Sequence, residues 1–267
     1  MQTGDTPSML ASQSAQAVRS SPTLELDTCD VDVWYELTDP LVCSPDDNGL
    51  ASLSPDELDR YERIYSDRAR QQFLAGRSLT RMALSRYARV PEHAWRFAAN
   101  EHGRPTIDWP HNCRDIHFSL SHAFGLVVLA VSRVPEIGID VEALDRNVDI
   151  HEIGESVLAD TEALEIAHSA PDEARDRFFS YWTLKEAYMK ARGMGFSLHP
   201  KSFSFVDLDG LISLRCSPQC DPAPERWQFS LSKPRPEFRM ALAIGSRSMR
   251  TRHFDAVLAR TLTSPHT

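Results

Sequence analysis

The 267-residue sequence predicts an α+β protein whose helices and strands fall in two successive sets. Two observations carry that prediction. Segments with a period of two, such as Asp30-Val-Asp-Val-Trp-Tyr35 and Ile137-Gly-Ile-Asp-Val-Glu142, read as strands. Around them run longer segments with helix start and stop signals, of which Ser54-Pro-Asp-Glu57 and Gly193 are the clearest. No internal repeat is legible.

In chain order, residues 30–35 form the first strand and residues 40–48 a loop. Ser54 is an N-cap serine, Pro55 takes the first helical position and Glu57 follows three residues on; this capping box starts a helix that runs to about residue 65. A second helix over 68–89 ends before Pro91, because proline disfavours helical backbone in the residue preceding it. A short segment at 95–98 and a Gly103-Arg104-Pro105 turn lead to strands at 116–120, 126–132 and 137–142. Helices near 150–158 and 161–168 and a long one over 177–192, stopped by Gly193 and Gly195, precede strands at 202–206, 211–215, 227–231 and 239–244. Residues 1–28 are expected as a disordered N-terminal tail and 249–267 as a C-terminal tail.

An apolar share of 42% is enough for a packed core, and no apolar run approaches the ~18 residues of a membrane span. The first residues lack both the basic start and the apolar block of a secretory signal. Cys29, Cys43, Cys113, Cys216 and Cys220 are odd in number and scattered, which argues against a disulfide framework and fits a reducing cytoplasm. A net charge of −9 disfavours nucleic acid and acidic membranes as partners. The exception is local. Arg68, Arg70, Arg77, Arg81, Arg86 and Arg89 lie in a stretch without Asp or Glu, a basic face suited to a phosphate-bearing ligand or an acidic protein.

The chemistry concentrates in two segments. Alternation sends Asp140 and Glu142 off the same strand face, with Cα atoms ~7 Å apart at ~3.3 Å rise per residue. Carboxylates of unequal length at that spacing can meet on one hard cation such as Mg²⁺, which takes oxygen ligands and usually shares a substrate phosphate. In the helix over 177–192, steps of ~100° per residue put Phe178, Met189, Trp182 and Phe179 on one apolar arc with Glu186 inside it. An ionised carboxylate there is penalised by desolvation unless paired or bound to a metal, so Glu186 reads as facing a cation. Lys190 lies one turn further on; an ordinary Glu-to-Lys i,i+4 pair, worth ~0.2–0.5 kcal/mol on an exposed face, is the plainer reading. His122 ends an apolar strand and on its own reads as a structural histidine. Ser121 beside it lacks the Gly-x-Ser-x-Gly turn of a hydrolase nucleophile.

Four motifs then occur in order: Gly103-Arg104-Pro105, Ser119-Leu120-Ser121-His122, Gly138-Ile139-Asp140-Val141-Glu142, and Trp182 to Lys190. Over roughly residues 30–245 the sequence resembles a 4′-phosphopantetheinyl transferase of the longer, surfactin-synthetase-activating type. The resemblance implies two similar α/β halves related by a pseudo-two-fold axis, with the active site in the cleft between them. It implies a hinge at Val134-Pro135, which would divide the chain into halves 29–134 and 135–248. It implies transfer of the phosphopantetheine arm of coenzyme A to a serine of an apo acyl or peptidyl carrier protein, releasing adenosine 3′,5′-bisphosphate. Asp140, Glu142 and Glu186 would hold one Mg²⁺, with Mn²⁺ as the alternative ion. Glu186 would take the serine proton and Lys190 would steady the departing phosphate. Ser121 and His122 would contact coenzyme A, and Arg104 and Arg60 would line the pocket of its 3′-phosphate, Arg60 on spacing alone. The partners implied are carrier domains of fatty-acid, polyketide or nonribosomal peptide synthesis; a cytoplasmic monomer is expected. Two other classes share some of these features: a Mg²⁺-dependent phosphohydrolase of coenzyme A or a nucleotide, and a non-catalytic carrier-binding module, which gives no reason for Glu186.

Overall fold

The computed structural model describes residues 23–38, 47–208 and 210–261. Its strands and helices are, in order, β1 Asp30–Leu37, α1 Asp47–Ala51, α2 Pro55–Glu62, α3 Asp67–Leu84, β2 Arg96–Ala99, β3 Pro105–Trp109, β4 His117–Ala123, β5 Leu126–Ser132, β6 Ile137–Ala143, α4 Ile150–Val157, α5 Asp160–Ala167, α6 Pro171–Arg192, β7 Phe203–Leu208, β8 Leu211–Cys216, β9 Gln228–Ser232, β10 Phe238–Ile244, β11 Arg250–Asp255 and α7 Ala256–Thr261. The expected loop over 40–48 lies mostly outside the described residues, as do residues 1–22 of the expected N-terminal tail. The α2 capping box is present in full, with Ser54 Oγ accepting from Glu57 N and Glu57 accepting from Ser54 N. Among the described residues no helix is long and apolar enough to cross a membrane.

Two sheets pack face to face between two long helices. One runs β11-β1-β5-β4 and the other β6-β10-β9. All neighbours are antiparallel except β1 and β11, which are parallel. Period-two alternation sorts the side chains into layers. Val31 and Val33 of β1, Leu126, Val128 and Ala130 of β5, and Ile137, Ile139 and Val141 of β6 meet between the sheets. The opposite face of the first sheet, with Trp34, Val127, Leu129 and Val131, packs on Leu79, Met82 and Ala83 of α3. The outer face of the second sheet, with Ala241, Ala243 and Phe229, packs on α6. Serines on β4 tie the two sheets together: Ser119 Oγ accepts from Ile139 N, and Ser121 donates to Asp140.

Several boundaries differ from expectation for identifiable reasons. The helix expected from residue 177 begins at Pro171, in the first helical position; of the described side chains in its opening turns only Ala174 is buried, so the apolar period starts later than the helix. α3 stops at Leu84 rather than residue 89, where Ser85 accepts from the Trp95 indole and Tyr87 turns to reach Asp32. Within the expected C-terminal tail 249–267, residues 250–261 form β11 and α7. β11 lacks an apolar period because charge docks it: Arg252 pairs with buried Asp32 at 2.6 Å, Arg250 with Asp30 at 2.9 Å, and Arg260 of α7 with Glu36.

The arginine run is not the solvent-facing stripe that the sequence predicts. Arg81 is 1% exposed and bonded to Glu57 of α2, with Arg77 Nε 3.4 Å from the same carboxylate. Arg86 is half-buried and donates to Ala259 O. Only Arg68, stacked 3.4 Å over the Phe124 ring, and Arg89 are exposed. The neutralising acid comes from the preceding helix, which a count within residues 68–89 cannot see.

Candidate active site

Gly138 sets the geometry. A Cβ placed on it would lie 1.9 Å from Ala187 O and 2.6 Å from Ala191 N, so only glycine lets the backbone of α6 lie directly on β6. With Ala187 and Ala191 as small contacts on the helix, the polar residues beside the crossing are pressed together. Asp140 and Glu142 follow Gly138 on the same face of β6, and Glu186 and Lys190 flank Ala187 and Ala191 on α6. The helix ends at Gly193 in the left-handed conformation, φ 63°.

Lys190 Nζ donates to Asp140 Oδ1 at 2.7 Å, to Ser121 Oγ at 2.9 Å and to Ile139 O at 3.2 Å. Ser121 Oγ donates to the same Asp140 Oδ1 at 2.8 Å. Asp140 is 5% exposed, and its other oxygen, Oδ2, is buried without a hydrogen bond. Glu142 has the same one-sided pattern: Oε1 accepts from the Trp182 indole at 2.9 Å and from Arg146 at 2.9 Å. Burial raises the Glu142 pKa above the ordinary carboxylate value, and the negative charge of Asp140 adds to it. Glu186 is raised likewise, first by burial, then by Asp140, with Glu142 contributing and Lys190 opposing.

Three mutually repelling carboxylates therefore share one crevice with a single lysine. They stay open: among the described residues, no three His, Cys, Asp or Glu side chains gather closely enough to hold a metal ion. The donor set nevertheless fits a hard cation. An oxygen of a buried carboxylate with no partner costs free energy unless something positive satisfies it, and Asp140 Oδ2 is such an oxygen.

The crevice opens into a cavity of about 280 Å³. Arg104, Pro105, Phe118 and Leu120 form one wall, and Glu186, Met189 and Lys190 the other. His122 keeps a solvent-exposed edge on β4; burial of the rest of its ring, and then the charge of Lys190, lower its pKa. Arg104 borders the cavity but is committed elsewhere. Its Nη1 donates to Ala191 O at 2.8 Å, and its Nη2 to Pro135 O at 2.6 Å and Ile137 O at 3.1 Å, so it pins the end of α6 to the start of β6. Neither Arg60 nor His122 lines this cavity. Arg60 is exposed on α2, 5.8 Å from the Phe73 ring.

The structure adds three residues to those the sequence singled out for chemistry. Trp182 had a signal, since it stands one turn before Glu186 on the same arc. Arg146 had none, because nothing in the sequence indicates that the chain leaving β6 turns back on Glu142. Lys185, next to Glu186, is 0% exposed and bonded to Glu162 at 2.9 Å and to the carbonyls of Pro200 and Phe203; it fixes the rotation of α6 from the side away from the crevice.

With this geometry in place, the likeness to known proteins is specific. Residues 136–243 match the model of the 4′-phosphopantetheinyl transferase superfamily, and residues 47–134 match that of the 4′-phosphopantetheinyl transferase N-terminal region. The chain is 37% identical over 146 residues to the 4′-phosphopantetheinyl transferase HetI of Nostoc sp., covering 54% of this chain and 61% of that protein. It is 31% identical over 177 residues to the 4′-phosphopantetheinyl transferase Sfp of Bacillus subtilis, covering 66% of this chain and 76% of that one. Among solved structures, the holo-[acyl-carrier-protein] synthase of Thermotoga maritima aligns with a TM-score of 0.34 at 23% identity, over 43% of this chain and 65% of that chain. The two family models together span most of the chain, and both halves of the crevice, β6 and α6, lie inside the first: the chain belongs to the 4′-phosphopantetheinyl transferase superfamily.

Proposed function

We propose that this protein transfers the 4′-phosphopantetheine moiety of coenzyme A to a serine of an apo acyl or peptidyl carrier protein, with a bound Mg²⁺. The observation that carries the reading is the pair of carboxylates on β6, each taking its protein donors on one oxygen, with Asp140 Oδ2 buried and without a hydrogen bond, facing a third carboxylate and a lysine at the mouth of a cavity. The superfamily of this chain supports the substrate class. Two α/β halves related by a pseudo-two-fold axis, with the cleft between them, belong to the same reading.

In this proposal Asp140, Glu142 and Glu186 would hold the ion, which would supply charge neutralisation at the diphosphate of coenzyme A. The serine oxygen forms its bond to the phosphorus that carries the pantetheine arm as the bond from that phosphorus to the bridging oxygen breaks. Glu186 would accept the serine proton; in the metal-free protein burial, and then the charge of Asp140, raise its pKa, the direction that suits a general base. Lys190 offsets the negative charge that develops on the departing adenosine 3′,5′-bisphosphate, since such transfer is mostly positioning and electrostatic stabilisation. His122 gains a proton beside an anion and is the residue proposed to meet the 3′-phosphate. Arg104, with its terminal nitrogens on carbonyls, supports the pocket wall more than it reads charge.

The test is release of adenosine 3′,5′-bisphosphate from coenzyme A with and without an added apo carrier protein. Release that requires the carrier and accompanies a mass gain on its serine is expected. Release without carrier would replace the transferase reading by the phosphohydrolase one, and carrier binding without release by the non-catalytic one.

A further inference from the structure

We infer that Trp182 and Arg146 are positioning residues for Glu142: together they form a donor clamp that fixes one carboxylate oxygen and leaves the other for a divalent cation. The inference rests on the metal reading proposed above and adds to it the residues that orient a ligand without touching the ion. An ionised carboxylate has about four lone-pair sites and turns freely about its last bond. Here both donors reach the same oxygen: Trp182 Nε1 and Arg146 Nη1 each lie 2.9 Å from Glu142 Oε1, and no hydrogen bond from a described residue reaches Oε2. Asp140, two residues earlier on the same strand face, is held in the same way, with Ser121 and Lys190 both on Oδ1 and Oδ2 left without a partner. Two neighbouring carboxylates, each taking its protein donors on one oxygen, form an oriented pair.

The two halves of the clamp are built differently. Trp182 is set in α6, its ring centroid 6.0 Å from that of Phe178, and its indole can donate in only one direction. Arg146 lies on the chain leaving β6, with its side chain 47% exposed. That chain is tied to α6 by Arg175, which donates to Leu144 O at 2.6 Å and to Arg146 O. The fixed donor is therefore neutral, and the charged donor is the one open to solvent. A positive charge beside a cation site opposes the cation, so Arg146 would weaken binding if charge dominated and strengthen it if orientation dominated. The shared oxygen favours orientation, because a guanidinium competing for the site would take the other oxygen.

The experiment is Mn²⁺ titration of the coenzyme-A-free protein, read by the electron paramagnetic resonance of free Mn²⁺, for the wild type, Asp140→Ala, Trp182→Phe, Arg146→Ala and Arg146→Gln, with circular dichroism and thermal unfolding on each. Loss of partners that orient a ligand typically costs ~10–100-fold in metal affinity. Trp182→Phe and Arg146→Ala are expected to weaken Mn²⁺ binding by about tenfold or more with the fold intact, and Arg146→Gln, which keeps a donor, to restore most of the loss. Wild-type affinity in both Trp182→Phe and Arg146→Ala would overturn the inference, and tighter binding by Arg146→Ala would make Arg146 a competitor instead. Arg146→Ala lies on a half-exposed side chain, so it tests the clamp even if Trp182→Phe does not fold. Mn²⁺ binding that is absent in the wild type, or unchanged in Asp140→Ala, would sink the metal reading itself, an outcome distinct from failure of the clamp.

Discussion

The two long helices cover their sheets in opposite ways. α3 meets β1, β4 and β5 through side chains: Leu79, Met82 and Ala83 fill the space against Trp34, Val127, Leu129 and Val131, and even its buried glycine, Gly76, faces only the flexible end of Leu120. α6 meets β6 through backbone, at Gly138, with Ala187 and Ala191 the only side chains small enough to fit. Close approach leaves no room for apolar filler at the crossing, so the residues that flank it define its chemistry. Both interfaces bury charge, but α3 cancels Arg81 against Glu57, while α6 brings Glu186 up to two carboxylates with one lysine. Uncancelled charge, rather than charge as such, distinguishes the crevice from the core.

The strongest way to break the comparison is to give Gly138 a side chain. In Gly138→Val the added atoms would overlap Ala187 O, and backbone cannot yield as a side-chain tip does, so a loss of about 3 kcal/mol or more is expected. Gly76→Ala, where the contact is 3.1 Å from a leucine methyl, should cost about 1 kcal/mol or less, since helix propensity offsets the contact. Thermal unfolding of the pair checks this; equal effects would mean that α6 can ride up on β6.

Next is the rate. Glu186→Gln should lower kcat by ~10²–10⁴, the typical contribution of a positioned general base, with the KM for coenzyme A little changed. Because a buried carboxylate beside Asp140 and Glu142 is relieved, the metal-free variant should also unfold at a higher temperature. Asp140→Ala is expected to abolish transfer. Near-normal turnover in both folded variants, Asp140→Ala and Glu142→Ala, would remove the pair from the site.

Charge reversal on the α3 side acts on stability instead. Arg81→Glu would leave two buried carboxylates facing each other and should cost about 3–5 kcal/mol, as for breaking a buried pair, with no selective change in either KM. The sequence alone gave the wrong expectation here, since it made Arg81 part of a surface. Patterns within one element were legible: the β6 alternation, the α2 capping box and the apolar arc around Glu186. What crosses between elements was not. Glu57 reaches back to Arg81, Arg104 spends its donors on α6 and β6, Arg146 returns to Glu142, and β11 pairs by charge where apolar periodicity is silent.

A smaller effect concerns protons. The His122 pKa is lowered by burial and then by Lys190, which favours the uncharged ring in the ligand-free protein. A nearby phosphate favours the charged ring and raises the pKa. Coenzyme A binding should then take up protons, and affinity should fall as pH rises from below the free-protein pKa to above the bound one. Titration calorimetry in buffers of different ionisation enthalpy measures the uptake; a charge-assisted bond of ~1.5–3 kcal/mol corresponds to roughly tenfold or more in affinity, lost in His122→Ala. Dephospho-coenzyme A should show neither effect.

The smallest expected effect tests what remains of the basic surface. With Arg81 buried, Arg77 paired and Arg86 on a carbonyl, Arg68 is the exposed cation of α3 nearest the site: it stacks on Phe124, two residues beyond His122. An exposed cation–π contact is worth ~0.5–1 kcal/mol, so Arg68→Glu should scarcely change the unfolding temperature. If an acidic carrier surface approaches this edge, the substitution should raise the KM for apo carrier and leave that for coenzyme A unchanged, because the charge acts on encounter rather than on the cofactor. Such steering is screened over a Debye length of ~8 Å at 0.15 M ionic strength, so the rise in KM should shrink as salt is added. A salt-independent effect would point to direct contact through Phe124, for which Phe124→Ala is the control. An unchanged carrier KM in both variants would move docking away from α3, to the side of the crevice that α6 and the chain after β6 present.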